Sequence, residues 1–152
     1  SAASARASWC HRQLGPRALE VGFQWLRRWP GAGAGCDLRF FQTGGQVNAV
    51  GADATSFVHR NSHWLMVVGR NWTANDSKET IERNQESQNQ FYRAMLPFTS
   101  GGAYQNFIDP SLVDWQKAYY GANLSRLSCV KGGVDPNYVF RFAQSIPPAR
   151  CR

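Results

Sequence analysis

A side chain that could accept a proton, Tyr104, stands two residues before one that could orient a bound molecule, Asn106. They lie in the run 103–107, which follows the turn signal Gly101-Gly102 and is predicted to form a strand. Alternate residues of a strand point to the same face, so the phenol and the amide should share one face. A tyrosine can serve as a general base, whereas an isolated strand tyrosine is more often a half-buried packing residue. Asn106 could likewise end the strand through a bond to the backbone.

Metal and nucleotide-phosphate chemistry find little support in the sequence. The cysteines form no CxxC pair and the histidines have no metal-binding spacing, so no metal site is expected. The glycine-rich run 31–35 has no apolar strand before it and no capped helix after it, which indicates a linker. Two disulfides, or small buried thiols with a loose one at the tail, are both open for Cys10, Cys36, Cys129 and Cys151.

The chain has 152 residues and a net charge of +7, and its length suits one domain. Lys and Arg are scattered without a basic helical stripe, so no nucleic-acid partner is expected. No apolar run approaches the length of a membrane span, so no membrane association is expected either. The tripeptides that begin at Asn71, Asn75 and Asn123 fit the N-glycosylation pattern, although such tripeptides also occur by chance. They favour a secreted protein whose signal would lie upstream of residue 1.

Short runs rich in branched and aromatic residues predict a mainly antiparallel sheet from residue 37 onward. These runs are Leu38–Phe41, Val47–Val50 and His63–Val68. Residues 1–36 differ in composition and give no domain assignment, beyond a helix predicted over Ala18–Trp29 and the glycine-rich linker.

Capping residues and helix breakers predict helices that should cover the sheet. Asp76 with Glu79 fits a capping box, for a helix that should end near Leu96. The other predictions are a helix over Leu112–Tyr120 closed by Gly121, a helix capped by Asn123 that runs to Val130, and a helix start at Asp135-Pro136.

A resemblance to a known family covers about Phe40–Pro147. It is carried by Tyr104-Gln105-Asn106, Tyr119-Tyr120-Gly121-Ala122-Asn123 and the string from Val134 to Pro147, and more weakly by Gly44-Gly45, Ala54–Arg60 and Trp72. In order and spacing these residues resemble the carboxy-terminal signature of the berberine-bridge-enzyme-like oxidases. These are FAD-linked flavoproteins of the vanillyl-alcohol-oxidase group that include oligosaccharide oxidases. Val58 stands where the family usually has proline.

The resemblance implies an α+β fold in which residues 37–131 form part of a substrate-binding domain. Residues 132–152 would then be the segment that packs on an FAD-binding portion absent from this chain. Phe140, Phe142 and Ile146 are expected to be apolar contacts of that interface, exposed when the chain is alone.

The resemblance also implies an activity, the oxidation of a hydroxyl group on a carbohydrate or secondary metabolite, with FAD as cofactor and oxygen as acceptor. Tyr104 matches the catalytic tyrosine of the family. The positions expected near substrate or flavin are Asn106, Val67, Tyr119, Tyr120, Asn123 and Gln144. Val67 stands where the family often has a glutamine that supports the tyrosine. His59 and Arg60 match a His-Arg pair for which a structural role is favoured.

Three functional hypotheses follow. The first is a fragment of an FAD-dependent oxidase that is inactive alone, and the second is a catalytically silent remnant that binds carbohydrate. The third, a basic interaction module, rests on net charge alone. The glycosylation candidates are Asn71 and Asn75, since a helix cap would occupy the side chain of Asn123.

Overall fold

A three-stranded antiparallel sheet forms the centre of the computed structural model, which describes residues 2–31 and 35–151. Strand β3 (Trp64–Trp72) lies between β1 (Ala2–Cys10) and β2 (Cys36–Gln42). The predicted α+β fold with a mainly antiparallel sheet is confirmed.

Five α-helices accompany the sheet in the described part of the chain. They are α1 (Pro16–Arg27), α2 (Gln46–Ala49), α3 (Lys78–Met95), α4 (Trp115–Tyr120) and α5 (Leu124–Val134), with short 3₁₀ turns at Leu96–Phe98 and Gly121–Asn123. The sequence predicted α1, α3, α4 and α5, with boundaries that differ by a few residues. None of the described helices is long and apolar enough to cross a membrane.

One face of the sheet is covered by α1 and α3. Met66 and Val68 of β3 are fully buried there against Trp25 of α1 and Phe91 of α3. The rings of Trp25 and Phe91 stack with their centroids 4.5 Å apart. Burial of each such side chain contributes about 1.5–3 kcal/mol, so this face carries the main apolar core.

The first strand, β1, is the element that sequence analysis missed. Its residues are mostly Ala and Ser, which have little preference for strands. Pairing with β3 over its whole length, Ala2↔Trp72 to Cys10↔Trp64, stabilises it instead. The alternation is nevertheless regular, since Ala7 and Trp9 face away from the helices while Cys10 lies in the helix-covered core.

Two of the predicted strands are wrong. Residues 47–49 belong to the helical turn α2, because Gly44 and Gly45 adopt positive φ and the Val47 N–H donates to the Gly44 carbonyl. Residues 103–107 form a turn closed by a bond of 2.9 Å from the Phe107 N–H to the Tyr104 carbonyl. Backbone bonds to the edge of β1 come just before this turn, where the Trp9 N–H donates to the Gly102 carbonyl and the Ser100 N–H donates to the Trp9 carbonyl.

Three predicted caps also need correction. Ser77 caps α3 by accepting from the Thr80 N–H, whereas Asp76 accepts from the backbone and hydroxyl of Thr73. Asn123 precedes α5 without capping it through its side chain. No helix follows Asp135, whose carboxylate instead closes a turn by accepting from two backbone N–H groups.

The tail is fastened to α5. Cys129 of α5 and Cys151 form a disulfide, while Cys10 and Cys36 are free, so one of the two disulfides considered from sequence exists. The Ala149 N–H donates to the Ser128 carbonyl at 2.9 Å. The linker predicted at 31–35 includes residues 32–34, which lie outside the described residues.

Gly132 is where the tail approaches α5 most closely, since a Cβ there would lie 1.9 Å from the Ala149 carbonyl oxygen. We expect Gly132→Ala to lower the free energy of unfolding by about 1–3 kcal/mol in urea denaturation, because the backbone must shift. Gly133→Ala is the matched control, because a Cβ there meets nothing within 4 Å and alanine favours a helix. Equal losses in both variants would contradict the docking of the tail.

Candidate active site

The face of the sheet opposite the helices is covered by loop residues. Trp9 of β1 and Leu65 and Val67 of β3 are buried there, and Phe57, Tyr104 and Phe107 pack on them. We call these six residues the aromatic wall. Phe41 extends it from β2, with its ring 6.5 Å from that of Phe107 and 45% exposed. This face therefore offers apolar and aromatic surface to whatever covers it.

The Tyr104 ring is held by edge-to-face contacts. Its centroid lies 5.7 Å from Trp9, 6.4 Å from Phe57 and 5.3 Å from Phe107. The Asn106 side-chain amide donates to the Tyr104 hydroxyl oxygen at 3.1 Å. The phenol and amide that sequence analysis expected to share a strand face thus do meet, but through a turn.

Val67 belongs to the same wall and is fully buried. Its side chain offers no hydrogen bond, so the described partner of the Tyr104 hydroxyl is Asn106. Sequence analysis placed Val67 beside the tyrosine, and the structure brings both residues into one cluster.

A buried histidine adjoins the wall. His59 is 8% exposed and stacks on Trp9 with centroids 5.3 Å apart. Burial lowers the pKa of His59 to about 4, and the Tyr119 and Ala103 carbonyls oppose this effect only in part. The imidazole is therefore neutral near pH 7, and its Nε2 has no partner among the described residues.

A second polar cluster lies beneath the loop that carries Tyr104. The Arg6 guanidinium donates to the Asp109 carboxylate at 2.7 Å, and both side chains are buried. The Asp109 N–H donates to the Tyr119 hydroxyl oxygen at 2.9 Å, and the Gln144 amide donates to the Asp109 carbonyl at 2.8 Å. Burial raises the pKa of Tyr119, and the neighbouring Asp109 charge adds to this. Tyr119 is therefore a neutral hydrogen-bonding residue.

Arg6 and Asp109 were not candidates from sequence. They pair across 103 positions of the chain, and no local pattern relates them. The one signal in the sequence was local. Small residues, Ala5 and Ala7, stand on both sides of Arg6, and in a strand they would face away from the side on which Arg6 lies.

The remaining candidates lie elsewhere. Asn123 is buried, and its amide donates to the Ala52 and Thr55 carbonyls at 2.7 and 3.0 Å. Tyr120 is half-buried and lines an open cavity of about 600 Å³ together with Phe140 and Phe142. Gln144 links the Tyr104 loop to the carboxy-terminal segment. The candidate residues thus form a site around Tyr104 and a hydrogen-bonded network of Arg6, Asp109, Tyr119 and Gln144.

The glycosylation candidates differ in exposure. Asn75 is exposed in the turn before α3, Asn71 is half-buried at the end of β3, and Asn123 uses its side chain inside the fold. In the described ranges no group of three or more His, Cys, Asp or Glu side chains is placed to hold a metal ion.

Comparison with known proteins shows which family the chain resembles. The family model described as "Berberine and berberine like" matches residues 103–147, which include Tyr104, Tyr119 and Gln144. The FAD-linked oxidoreductase YvdP of Bacillus subtilis is 37% identical over 119 residues, which are 78% of this chain and 26% of that protein. The chain belongs to the berberine-bridge-enzyme-like FAD-linked oxidoreductases. It spans about a quarter to a third of the length of such relatives.

Solved structures of berberine-bridge-enzyme-like proteins share the fold. The grass pollen allergen Phl p 4, whose structure is described as having glucose dehydrogenase activity, superposes with a TM-score of 0.82 at 26% identity. That match covers 97% of this chain and 33% of the allergen. Berberine bridge enzyme from Eschscholzia californica superposes with a TM-score of 0.88 over 99% of this chain and 34% of its own, at 24% identity.

What the described residues offer a flavin is apolar surface. The rings of the aromatic wall meet edge to face, and the wall contains a buried indole N–H, that of Trp9, without a partner among the described residues. We identify no set of described residues for the phosphates of the cofactor.

The buried His59 makes stability depend on pH. Its pKa rises from about 4 in the folded state to about 6.5 on unfolding, so the unfolded state binds more protons between these values. The contribution is present above about pH 6.5 and is lost as pH falls toward about 4, by up to about 3 kcal/mol. Denaturation at several pH values should show a weaker dependence for His59→Phe and the wild-type dependence for the exposed His63→Phe. An unaltered dependence in His59→Phe would contradict this assignment.

Removal of one partner of the Arg6–Asp109 pair should destabilise the fold strongly. Arg6→Met leaves a buried carboxylate without its cation, and we expect the free energy of unfolding to fall by about 3–5 kcal/mol. Arg39→Met is the control, because the exposed Arg39 pairs with Asp37 at the surface and such pairs contribute about 0–1 kcal/mol. Chemical denaturation measures both. Similar small losses in the two variants would show that the buried pair is dispensable.

Proposed function

We propose that this chain supplies the substrate-side wall of an FAD-dependent oxidase that removes a hydride from the carbon of an alcohol. The observation that carries the proposal is the fixed Tyr104 phenol, bonded by Asn106 on an otherwise apolar wall. Membership of a family of FAD-linked oxidoreductases supports it. The chain alone is proposed to be inactive, since it spans about a quarter to a third of the length of its FAD-linked relatives.

Tyr104 is the proposed general base. An alcohol is oxidised when its hydroxyl proton is removed while a hydride leaves the adjacent carbon, and FAD accepts that hydride when bound. The oxygen of Tyr104 would take the proton, and Asn106 would hold that oxygen in place. The aromatic wall would exclude water from the reacting groups. Molecular oxygen is the proposed final acceptor.

The carboxy-terminal segment 132–152 is the proposed contact with an FAD-binding portion. Phe140 is 77% exposed and Phe142 56% exposed, and both line the open cavity beside Tyr120. Two exposed phenylalanines that share a cavity are typical of an interface. The turn that presents them is held by the Asp135 carboxylate, which accepts from the Val139 and Phe140 N–H groups.

The proposed substrate is a carbohydrate hydroxyl or that of a secondary metabolite. The glucose dehydrogenase activity printed for Phl p 4 supports a sugar, and aromatic side chains such as Phe41 can stack on sugar rings. The alternative is a silent carbohydrate-binding remnant, which Val67 favours because it adds no polar partner for Tyr104. The protein is further proposed to be a secreted glycoprotein, with the exposed Asn75 as its glycosylation site.

Flavin content tests the proposal. The 152-residue chain should purify without flavin absorbance. The protein expressed with the coding sequence upstream of residue 1 should be yellow and should form hydrogen peroxide with at least one member of a panel of sugars and aromatic alcohols. A colourless longer protein would contradict an oxidase. A yellow longer protein that binds sugars but reduces no flavin would favour the silent remnant.

The interface can be tested in the same longer protein. Phe140→Ser with Phe142→Ser should speed flavin loss by about tenfold or more, because burying each phenylalanine contributes about 1.5–3 kcal/mol. Phe23→Ser on α1 is the control, since Phe23 is 54% exposed on the opposite, helix-covered side of the sheet. Equal flavin retention in all three proteins would show that the segment is not an interface.

A further inference from the structure

We propose that Asn106 is a positioning residue for Tyr104, whose phenol oxygen it holds and polarises through its side-chain amide. This inference rests on the proposed function and deepens it, because it names the group on which the base depends. The amide nitrogen lies 3.1 Å from the hydroxyl oxygen, within ordinary hydrogen-bond range.

The backbone prepares this contact. The Phe107 N–H donates to the Tyr104 carbonyl at 2.9 Å, which closes a turn with Asn106 inside it. Three neighbouring rings hold the Tyr104 ring, of which Phe107 is the nearest at 5.3 Å. The donor and the acceptor are therefore both fixed by the same short turn, and little further ordering is needed to bring them together.

In the described part of the chain, the Tyr104 hydroxyl has one polar contact, Asn106. Trp9, Leu65 and Val67 form the buried side of the wall and bring no hydrogen bond to the phenol. Within the described residues, the Tyr104 hydroxyl has the Asn106 amide as its hydrogen-bond partner. The bond lies at the exposed edge of the aromatic wall, so Asn106 is the polar group that meets the phenol oxygen there.

The chemistry needs a donor at this place. A hydrogen bond from an amide N–H is stronger to a phenolate than to a neutral phenol. The bond therefore favours the form of Tyr104 that accepts a proton and leaves a lone pair free for it. In the step, the O–H bond of the substrate breaks and an O–H bond forms on Tyr104. The hydride leaves the substrate carbon with its electron pair for the flavin oxidant, and a carbonyl is produced.

The first test needs no cofactor. In the 152-residue chain labelled with ¹³C at tyrosine Cζ, the Tyr104 resonance is assigned by its loss in Tyr104→Phe. Asn106→Ala should shift that resonance, because Cζ responds to hydrogen bonding at the hydroxyl. Asn61→Ala, an exposed asparagine without this contact, should not. The resonance of Tyr119, which bonds the Asp109 N–H, reports that the fold is retained.

The second test uses the flavin-loaded longer protein. Asn106→Ala should lower kcat/KM by about tenfold to a hundredfold, the range expected for loss of a hydrogen bond to a charged group. The fall should lie in kcat more than in KM, and the acidic limb of the pH profile should move to higher pH. Asn106→Asp, which places a negative charge beside the phenol, should move that limb further. Asn61→Ala should retain the wild-type profile.

The outcomes separate this inference from the proposed function. A Tyr104 resonance and a pH profile that do not change in Asn106→Ala would overturn the role of Asn106, even if Tyr104→Phe is inactive. Full activity of Tyr104→Phe would overturn the base and, with it, the role of Asn106. A shifted resonance together with a shifted profile supports both.

Discussion

The structure depends on the buried ion pair between Arg6 and Asp109. A buried charge without a partner is strongly destabilising, so strand β1 and the loop after Tyr104 must be present together. Asp109 also bonds Tyr119 through its N–H and Gln144 through its carbonyl. One residue thus joins the first strand, helix α4 and the carboxy-terminal segment. The turn that carries Tyr104 is held in place because its far end is anchored by this pair.

The two faces of the sheet perform different tasks. The helix-covered face buries Met66 and Val68 and supplies most of the apolar stabilisation. The other face buries Leu65 and Val67 under loops, and it presents the phenol of Tyr104 at a partly open edge. The strict alternation of β3 makes this division possible, because neighbouring residues point to opposite faces. The wall residues that β3 supplies, Leu65 and Val67, are therefore sequence neighbours of the core residues Met66 and Val68.

Sequence alone could predict the elements with strong local signals. Helix α3 was predicted from a capping box at Asp76 and Glu79 with an end near Leu96, and it runs over Lys78–Met95 although Ser77 provides the cap. Strand β1 was missed because alanine and serine carry little strand preference. The Arg6–Asp109 pair could not be predicted, since it joins residues 103 positions apart. The contact between Tyr104 and Asn106 was expected for an incorrect reason, namely strand alternation, and a turn produces it.

The central claim is that Tyr104 accepts the substrate proton in a flavin-dependent oxidation. The most direct measurement is the rate of flavin reduction by excess alcohol, without oxygen, in the longer protein with its flavin bound. The account predicts that Tyr104→Phe retains the flavin and reduces it at least about a hundredfold more slowly, the usual effect of losing a general base. Reduction at the wild-type rate in this variant would contradict the account.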